Sequence, residues 1–338
     1  MIINQVSGGK KPTGTISITT NGTHDVTDYA SANVNVPTTA PAHYVEKTVD
    51  ANGKLINSAN FIDLTGVTNI GDYALAYSYR NVYTITLAID MSNITTISGV
   101  YSCASMFEQC PNIPSCDLSS ITLISGAYSC QNMFMNCNNL TSFDLSSLET
   151  ISGNSACQNM FRQTKITTAS LPALKTINNN NAFNYAFGYC SYLTTINLPV
   201  LETIQGSNAC AYMFTNCPLI TTVDLSSVKT ISEYGPCQNM FQNCSGLTSA
   251  DLSGLTTISG NNACSYMFVN CTSLATVYIG GTTAINFGTF TNQFTNMFNG
   301  CTQNIDVYAP AANQAQIEAF SGYPNFGGTG TVTWHWRS

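Results

Sequence analysis

A series of carboxylates recurs along the chain at Asp63, Asp90, Asp117, Asp144, Asp224 and Asp251, and four of them open an Asp-Leu-Ser tripeptide. Ser170 and Asn197 stand at the two places between Asp144 and Asp224 where the series lapses. If each residue points outward from a strand, neighbours lie ~5 Å apart, and carboxylates at that spacing repel one another. Hydrogen bonds from hydroxyls or backbone N–H groups would compensate, and so would a cation such as Ca²⁺. The Asp-Leu-Ser-Ser segments also fit an Asx-type turn, which gives the carboxylate a purely local task. At Ser170 and Asn197 the repulsion is relieved, and an uncharged ligand would approach with less desolvation cost. A second set lies in the loops before each apolar block: Tyr101 and Tyr128, with Ser155, Asn181, Asn208 and Asn262 at comparable places. Polar and aromatic loops on a rigid scaffold suit recognition of a glycan or protein, or serve solubility alone. The candidate binding residues are therefore Asp117, Asp144, Ser170, Asn197, Asp224, Asp251, Tyr101 and Tyr128.

Enzyme chemistry finds no comparable support. There is no G-x-S-x-G elbow, no phosphate loop and no H-E-x-x-H, so a non-enzyme is expected. A pair of the aspartates could imitate a glycosidase, but nothing singles one pair out. The fourteen Cys do not read as a disulfide framework. Cys103, Cys130, Cys157, Cys210, Cys237 and Cys264 form one column, and Cys110, Cys137, Cys190, Cys217, Cys244, Cys271 and Cys301 form another. On a helix, residues seven apart are ~10.5 Å apart along the axis, beyond the ~7 Å over which two Cα atoms can be bridged. Phe183 and Phe294 replace Cys in the first column and Thr164 replaces it in the second, as expected of packing positions. There is no C-x-x-C pair, and His24, His43 and His335 are scattered, so neither a metal nor another cofactor is expected, Ca²⁺ on the carboxylates excepted.

The elements that must position these residues repeat. Met106-Phe107, Met133-Phe134, Met160-Phe161, Met213-Phe214, Met240-Phe241, Met267-Phe268 and Met297-Phe298 mark the copies, with Ala186-Phe187 as a variant. From Phe107 to Phe268 the step is 27 residues, except for 26 between Phe161 and Phe187, and a fixed period of this size is the mark of a solenoid. Cys130, Met133, Phe134 and Cys137 fall at the spacing of one helix face. Phe143-Asp144-Leu145-Ser146 alternates like a half-buried strand. Ile151 begins the return path, and Ser152-Gly153 permits a turn. The expected fold is an α/β solenoid of about ten strand–loop–short helix repeats, with a small β-rich N-terminal module and a C-terminal cap. Strands stack at ~4.8 Å and helices at ~8–10 Å, so the stack should curve with the strands inside. The residue missing after Phe161 should tighten one turn without breaking the ladder.

The pattern M-F-x-x-C-x-x-L-T-x-x-D-L-S, as in Met240 to Ser253, resembles the BspA-like class of leucine-rich repeats. Ile70-Gly71-Asp72-Tyr73-Ala74-Leu75 and Leu193 to Pro199 match another variant of that class. The resemblance spans roughly residues 55 to 310, while the repeat length and the sparse charge depart from the family pattern. It implies a curved leucine-rich-repeat stack in a surface or adhesive protein of a bacterium, parasite or phage. The segment PTGTISITTNGTHDVTDYASANVNVP resembles a module of phage virion and tail proteins, which implies attachment to other virion proteins; it reads equally as a β cap on the solenoid.

The chain divides into a β module at 1–40, a solenoid at 44–308 and a cap at 309–338. Thr15-Ile16-Ser17-Ile18 and Val34 to Val36 read as strands, Tyr44 to Ile56 as a hairpin, Ala311 to Phe320 as a terminal helix and Thr331 to Trp336 as a closing strand. Only 8% of residues are charged and the net charge is −7, which argues against nucleic acid as a partner. No apolar run is long enough for a transmembrane helix, so membrane insertion is not expected. MIINQVSGGKKPTG lacks the apolar core of a secretory signal, in keeping with a virion protein released by lysis. These readings converge on a virion surface or tail-associated protein that binds a host-surface glycan or protein, and a homo-oligomer is compatible with them. The alternatives are a bacterial cell-surface adhesin and a glycan-cleaving enzyme.

Overall fold

The computed structural model describes residues 14–16, 67–72, 74–77, 79–81, 83, 85 and 88–338. Each rung up to Thr257–Ile258 contributes two short strands. The first belongs to the carboxylate series: Ile89–Asp90, Ser115–Asp117, Ser142–Asp144, Thr168–Ser170, Thr195–Asn197, Thr222–Asp224, Ser249–Leu252 and Thr276–Ile279. Ile305–Pro310 and Val332–Arg337 continue the same column. The second strand comes from the recurrent Thr-Ile pair, as in Thr150–Ile151 and Thr203–Gln205. Stacked on its neighbours it makes a nine-stranded parallel sheet. Ile97, Ile124, Ile151, Ile177, Ile204, Ile231 and Ile258 lie in register along it and are fully buried. β-Branched Thr and Ile suit such a pleated, half-buried surface. On the sequence this segment reads as a simple return path; it is a second sheet.

The remaining side of each rung is not a helix. Between the second strand and the next first strand runs an arc of consecutive β-turns. In the rung of Phe134, the amides of Met133 and Cys137 bond back to the carbonyls of Cys130 and Phe134 at 3.2 Å. The alternate amides, those of Cys130, Asn132, Phe134 and Asn136, bond instead to Ala156, Gln158, Met160 and Arg162 of the next rung, at 2.7–2.9 Å. Tyr128, Asn132 and Asn136 hold positive φ of 57°, 56° and 62°. That left-handed conformation at every fourth residue is incompatible with an α-helix and is one Asn tolerates better than most residues. The inward set read from the sequence survives the change, since Cys130, Met133, Phe134 and Cys137 are all fully buried. Because the arc bonds from rung to rung as the sheets do, the expected helix–strand spacing mismatch, and the curvature expected from it, lose their basis. Among the described residues the only α-helix is Gln314–Glu318, preceded by the 3₁₀ turn Ala311–Asn313.

The core is a column of stacked rings. Tyr79, Phe107, Phe134, Phe161, Phe187, Phe214, Phe241, Phe268 and Phe298 follow one another at centroid separations of 5.3–6.2 Å. Successive rungs stack so tightly just after the second strand that a Cβ on Gly126 would lie 1.9 Å from the carbonyl oxygen of Gly99, its counterpart one rung back.

The first-strand column is interrupted twice, into sheets of three, two and five strands. The breaks follow Asp144 and Asn197. The expectation that the shortened rung leaves the ladder intact does not hold at the first of them. Within the sheets the central inward residue is buried Cys116, Ala169, Val223 or Ala250, but Phe143 and Ile196 stand at the two breaks and are only half-buried. Phe143 lies 4.5 Å from Phe161. The one-residue shortening after Phe161 lies in the segment that leads to the strand beyond the first break, whereas the second break has a full 27-residue step from Phe187 to Phe214.

At the ends, Gly14–Ile16 pairs in parallel with Val67–Ile70. The rest of the N-terminal module, the hairpin of Tyr44 to Ile56 and Asp63 lie outside the described residues. Val332–Arg337 pairs with Ile305–Pro310 over six residues, so the closing strand is the last rung of the ladder. Trp334 and Trp336 stack at 5.6 Å against the core, and the Trp334 indole donates to the carbonyl of Pro324 at 3.0 Å.

Candidate functional site

The carboxylates sit in register in two groups, Asp90 with Asp117 and Asp144, and Asp224 with Asp251. Each accepts a hydrogen bond from the backbone N–H two residues on. For Asp117, Asp144, Asp224 and Asp251 the donors are Ser119, Ser146, Ser226 and Ser253, at 2.8–2.9 Å. Asp90 accepts from both the hydroxyl and the amide of Ser92, and these bonds hold its pKa below the usual carboxylate value. The carboxylates thus close Asx turns at the strand ends. Among the described residues no group of three His, Cys, Asp or Glu side chains is disposed to hold a metal ion.

Ser170 and Asn197 lie in register between the two groups, and the Asn197 amide donates to the Ser170 hydroxyl at 3.0 Å. Beyond Asp251 the outward column becomes aromatic: Tyr278 stacks on Tyr308 at 4.9 Å and Tyr308 on His335 at 4.6 Å. His335 also meets Asp306 at 2.8 Å. On the sequence the strand series continues through Tyr278-Ile279 and Asp306-Val307; the register keeps Tyr278 in the carboxylate's place but puts Tyr308, not Asp306, beside it.

Tyr101 and Tyr128 belong to the arc, separated along the rung from the Asp117 and Asp144 strands by the second sheet. Both hold left-handed φ, and their rings stack at 4.7 Å with 7° between planes. Beside them run amide ladders: Gln131 donates to Gln158 and Asn159 to Asn132, each at 3.0 Å. Farther on, Asn243 donates to Asn216 at 3.0 Å and Asn270 to Asn243 at 2.8 Å. Every such side chain is fixed by its counterpart one rung away. The arc also carries Tyr185, Tyr189 and Tyr192, which sequence reasoning passed over; their four- and three-residue spacing was the available signal.

All fourteen cysteines are buried and none is joined in a disulfide. Those of the second column are hydrogen-bond donors. Cys137, Cys244, Cys271 and Cys301 each donate to the carbonyl of the column Phe one rung back, at 3.1 Å. Thr164, which replaces Cys there, donates its hydroxyl to the carbonyl of Phe161 at 2.8 Å. Thr164 thus keeps a donor at this place but turns it to the Phe of its own rung, whereas Phe183 in the first column brings none. With turns in place of a helix in the arc, axial rise no longer separates the two columns; instead, these second-column thiols are each engaged with a carbonyl.

The repeat model for the BspA type leucine-rich repeat region matches residues 55–186, 158–296 and 237–323. The chain belongs to the BspA-type leucine-rich-repeat family. Crystal structures of other proteins are similar to this BspA-type chain. A leucine-rich repeat protein from Bacteroides ovatus is 16% identical, over 94% of this chain and 98% of that one, with a TM-score of 0.34. A T. pallidum leucine-rich repeat protein is 15% identical, over 70% and 90% of the two chains, with a TM-score of 0.37. The pneumococcal vaccine antigen PcpA is 16% identical, over 79% and 85%, with a TM-score of 0.26. No curated protein matches the chain.

Proposed function

We propose that this BspA-type chain is a non-catalytic recognition scaffold displayed on a surface, binding a host-surface glycan or protein through the outward side chains of its ladders. In the finer reading the surface is that of a virion, and residues 1–40 hold the chain to other virion proteins. The observation that carries the recognition role is the pre-organisation of the arc. Stacked tyrosines and paired amides are already ordered against their neighbours, so little side-chain entropy remains to be lost when a ligand binds. The carboxylates, each engaged in its own turn, fit better as scaffold than as the contact surface.

The virion reading rests on the likeness of the N-terminal segment, and family membership supports a bacterial cell surface as the alternative carrier. Mass spectrometry of purified particles separates the two, with the chain expected among virion proteins; its absence there, and its recovery from cell envelopes, would select the adhesin. For recognition itself, labelled full-length chain is expected to bind host cells saturably, and Tyr128→Ala with Tyr101→Ala to weaken binding without lowering the melting temperature proportionately. Failure of the unaltered chain to bind host cells would end the reading.

A further inference from the structure

One part of the arc differs from the rest in charge. From 150 to 201 the sequence has no acidic residue across 52 positions, yet it holds Arg162, Lys165 and Lys175, three of the ten Lys and Arg in a chain of net charge −7. Lys175 is neutralised by Glu149 at 2.9 Å. Arg162 and Lys165 have no carboxylate partner among the described residues, and both lie against tyrosines. The Arg162 guanidinium carbon is 5.2 Å from the ring centre of Tyr185 and 4.9 Å from that of Tyr189. The Lys165 ammonium is 5.8 Å from that of Tyr192.

The same column shows what a neutralised arginine looks like here. Arg80 faces Glu108 of the next rung at 3.1 Å. Arg162 has Met135 and Gly188 as its counterparts one rung to either side, so neither neighbouring rung offers it an anion there. Its Nε is buried and makes no hydrogen bond. Tyr189 and Tyr192 remain 41% and 50% exposed. A half-buried guanidinium flanked by rings is weakly screened, and its planar fork matches a carboxylate. The exposed parts of the Tyr189 and Tyr192 rings beside it suit the C–H face of a pyranose.

We infer that Arg162, Lys165, Tyr189 and Tyr192 form a binding site for a carboxylate-bearing sugar, one residue of an acidic polysaccharide. Arg162 takes the carboxylate, Lys165 adds charge three residues further along the rung, and the two tyrosines take ring faces. The site rests on the recognition role proposed above and names its ligand class.

The test uses the full chain immobilised against long oligogalacturonate, its neutral methyl ester, poly-glutamate and dextran sulfate, with host-cell binding measured in parallel. Binding to oligogalacturonate is expected, weakening as salt rises, and the methyl ester should bind far less. Binding should fall by about tenfold or more in Arg162→Gln/Lys165→Gln and in Tyr189→Ala, and less in Arg162→Lys, which keeps the charge and loses the fork. Asp144→Asn should leave it unchanged, and melting temperatures identify any variant that has lost its fold. Equal binding to poly-glutamate would overturn the sugar, preference for dextran sulfate the carboxylate, and undiminished binding by folded Arg162→Gln/Lys165→Gln the site. Host-cell binding that survives all the variants, with no oligogalacturonate binding, would defeat this inference and leave the recognition role standing. Oligogalacturonate binding without host-cell binding would do the reverse.

Discussion

The second-column cysteines show how one buried atom decides what a repeat position accepts. Cys244 sits fully buried with its thiol donating to the carbonyl of Phe214. Removing the donor while keeping the shape leaves that carbonyl short of a partner. Cys244→Val should therefore be less stable than Cys244→Thr by about 1 kcal/mol, read as a difference in denaturant midpoint. Equal stabilities would return the column to packing alone. The thiols themselves are expected to be silent in the native protein and to titrate as fourteen after denaturation without reductant. Recovery of only a few free thiols would show that the columns oxidise.

The arc is the element on which helix and turn make opposite forecasts. Asn136 holds φ at 62°. On a helix, Asn136→Ala would stabilise and Asn136→Gly would destabilise. In a left-handed position the order reverses: Ala should cost about 1 kcal/mol and Gly should be neutral or stabilising. Thermal melts of the two variants give the sign directly. The break in the first-strand column makes a second forecast. Phe241 is fully buried in the ring stack, and its truncation to Ala should cost about 3–5 kcal/mol. Phe143 is only half-buried at the end of its sheet, so Phe143→Ala should cost clearly less. Equal losses would mean that Phe143 is a full member of the core.

For the whole molecule the thiols set a limit on alkaline stability. Burial pushes Cys190 and Cys301 up to about 11 and Cys244 and Cys264 up to about 12, from an ordinary value of 9.0. As pH rises, these groups lose their protons from the unfolded chain before the folded one. Their contribution is thus complete below pH 9 and is lost progressively between pH 9 and pH 12. Each thiol gives up about 1.4 kcal/mol per pH unit until its own folded pKa is reached. Melting temperature should stay flat up to about pH 8.5 and then fall steeply, and Cys244→Thr should make the fall shallower. Rungs are stabilised by their neighbours, so this loss is expected to spread along the stack.

The sequence by itself determined the period, the inward set and the class of the fold. Phe134, Met133, Cys130 and Cys137 recur because they fill the same core slot in every rung, and a recurring slot is visible without coordinates. It determined the Asx role of the aspartates as one of two readings, since the Asp-Leu-Ser-Ser run is local. It did not separate helix from turns, because the inward spacing i, i+3, i+4, i+7 serves both; only the outward Asn at every fourth place, as at Asn132 and Asn136, hinted at left-handed backbone. The second sheet escaped notice because a two-residue strand such as Thr150–Ile151 is too short to show alternation and exists only by pairing with its neighbours. The thiol–carbonyl bonds, the breaks after Phe143 and Ile196 and the unpaired Arg162 are likewise matters of which rung lies beside which. Adjacent rungs are some 27 residues apart in the chain and a few ångströms apart in space, and that register is what tertiary structure decided.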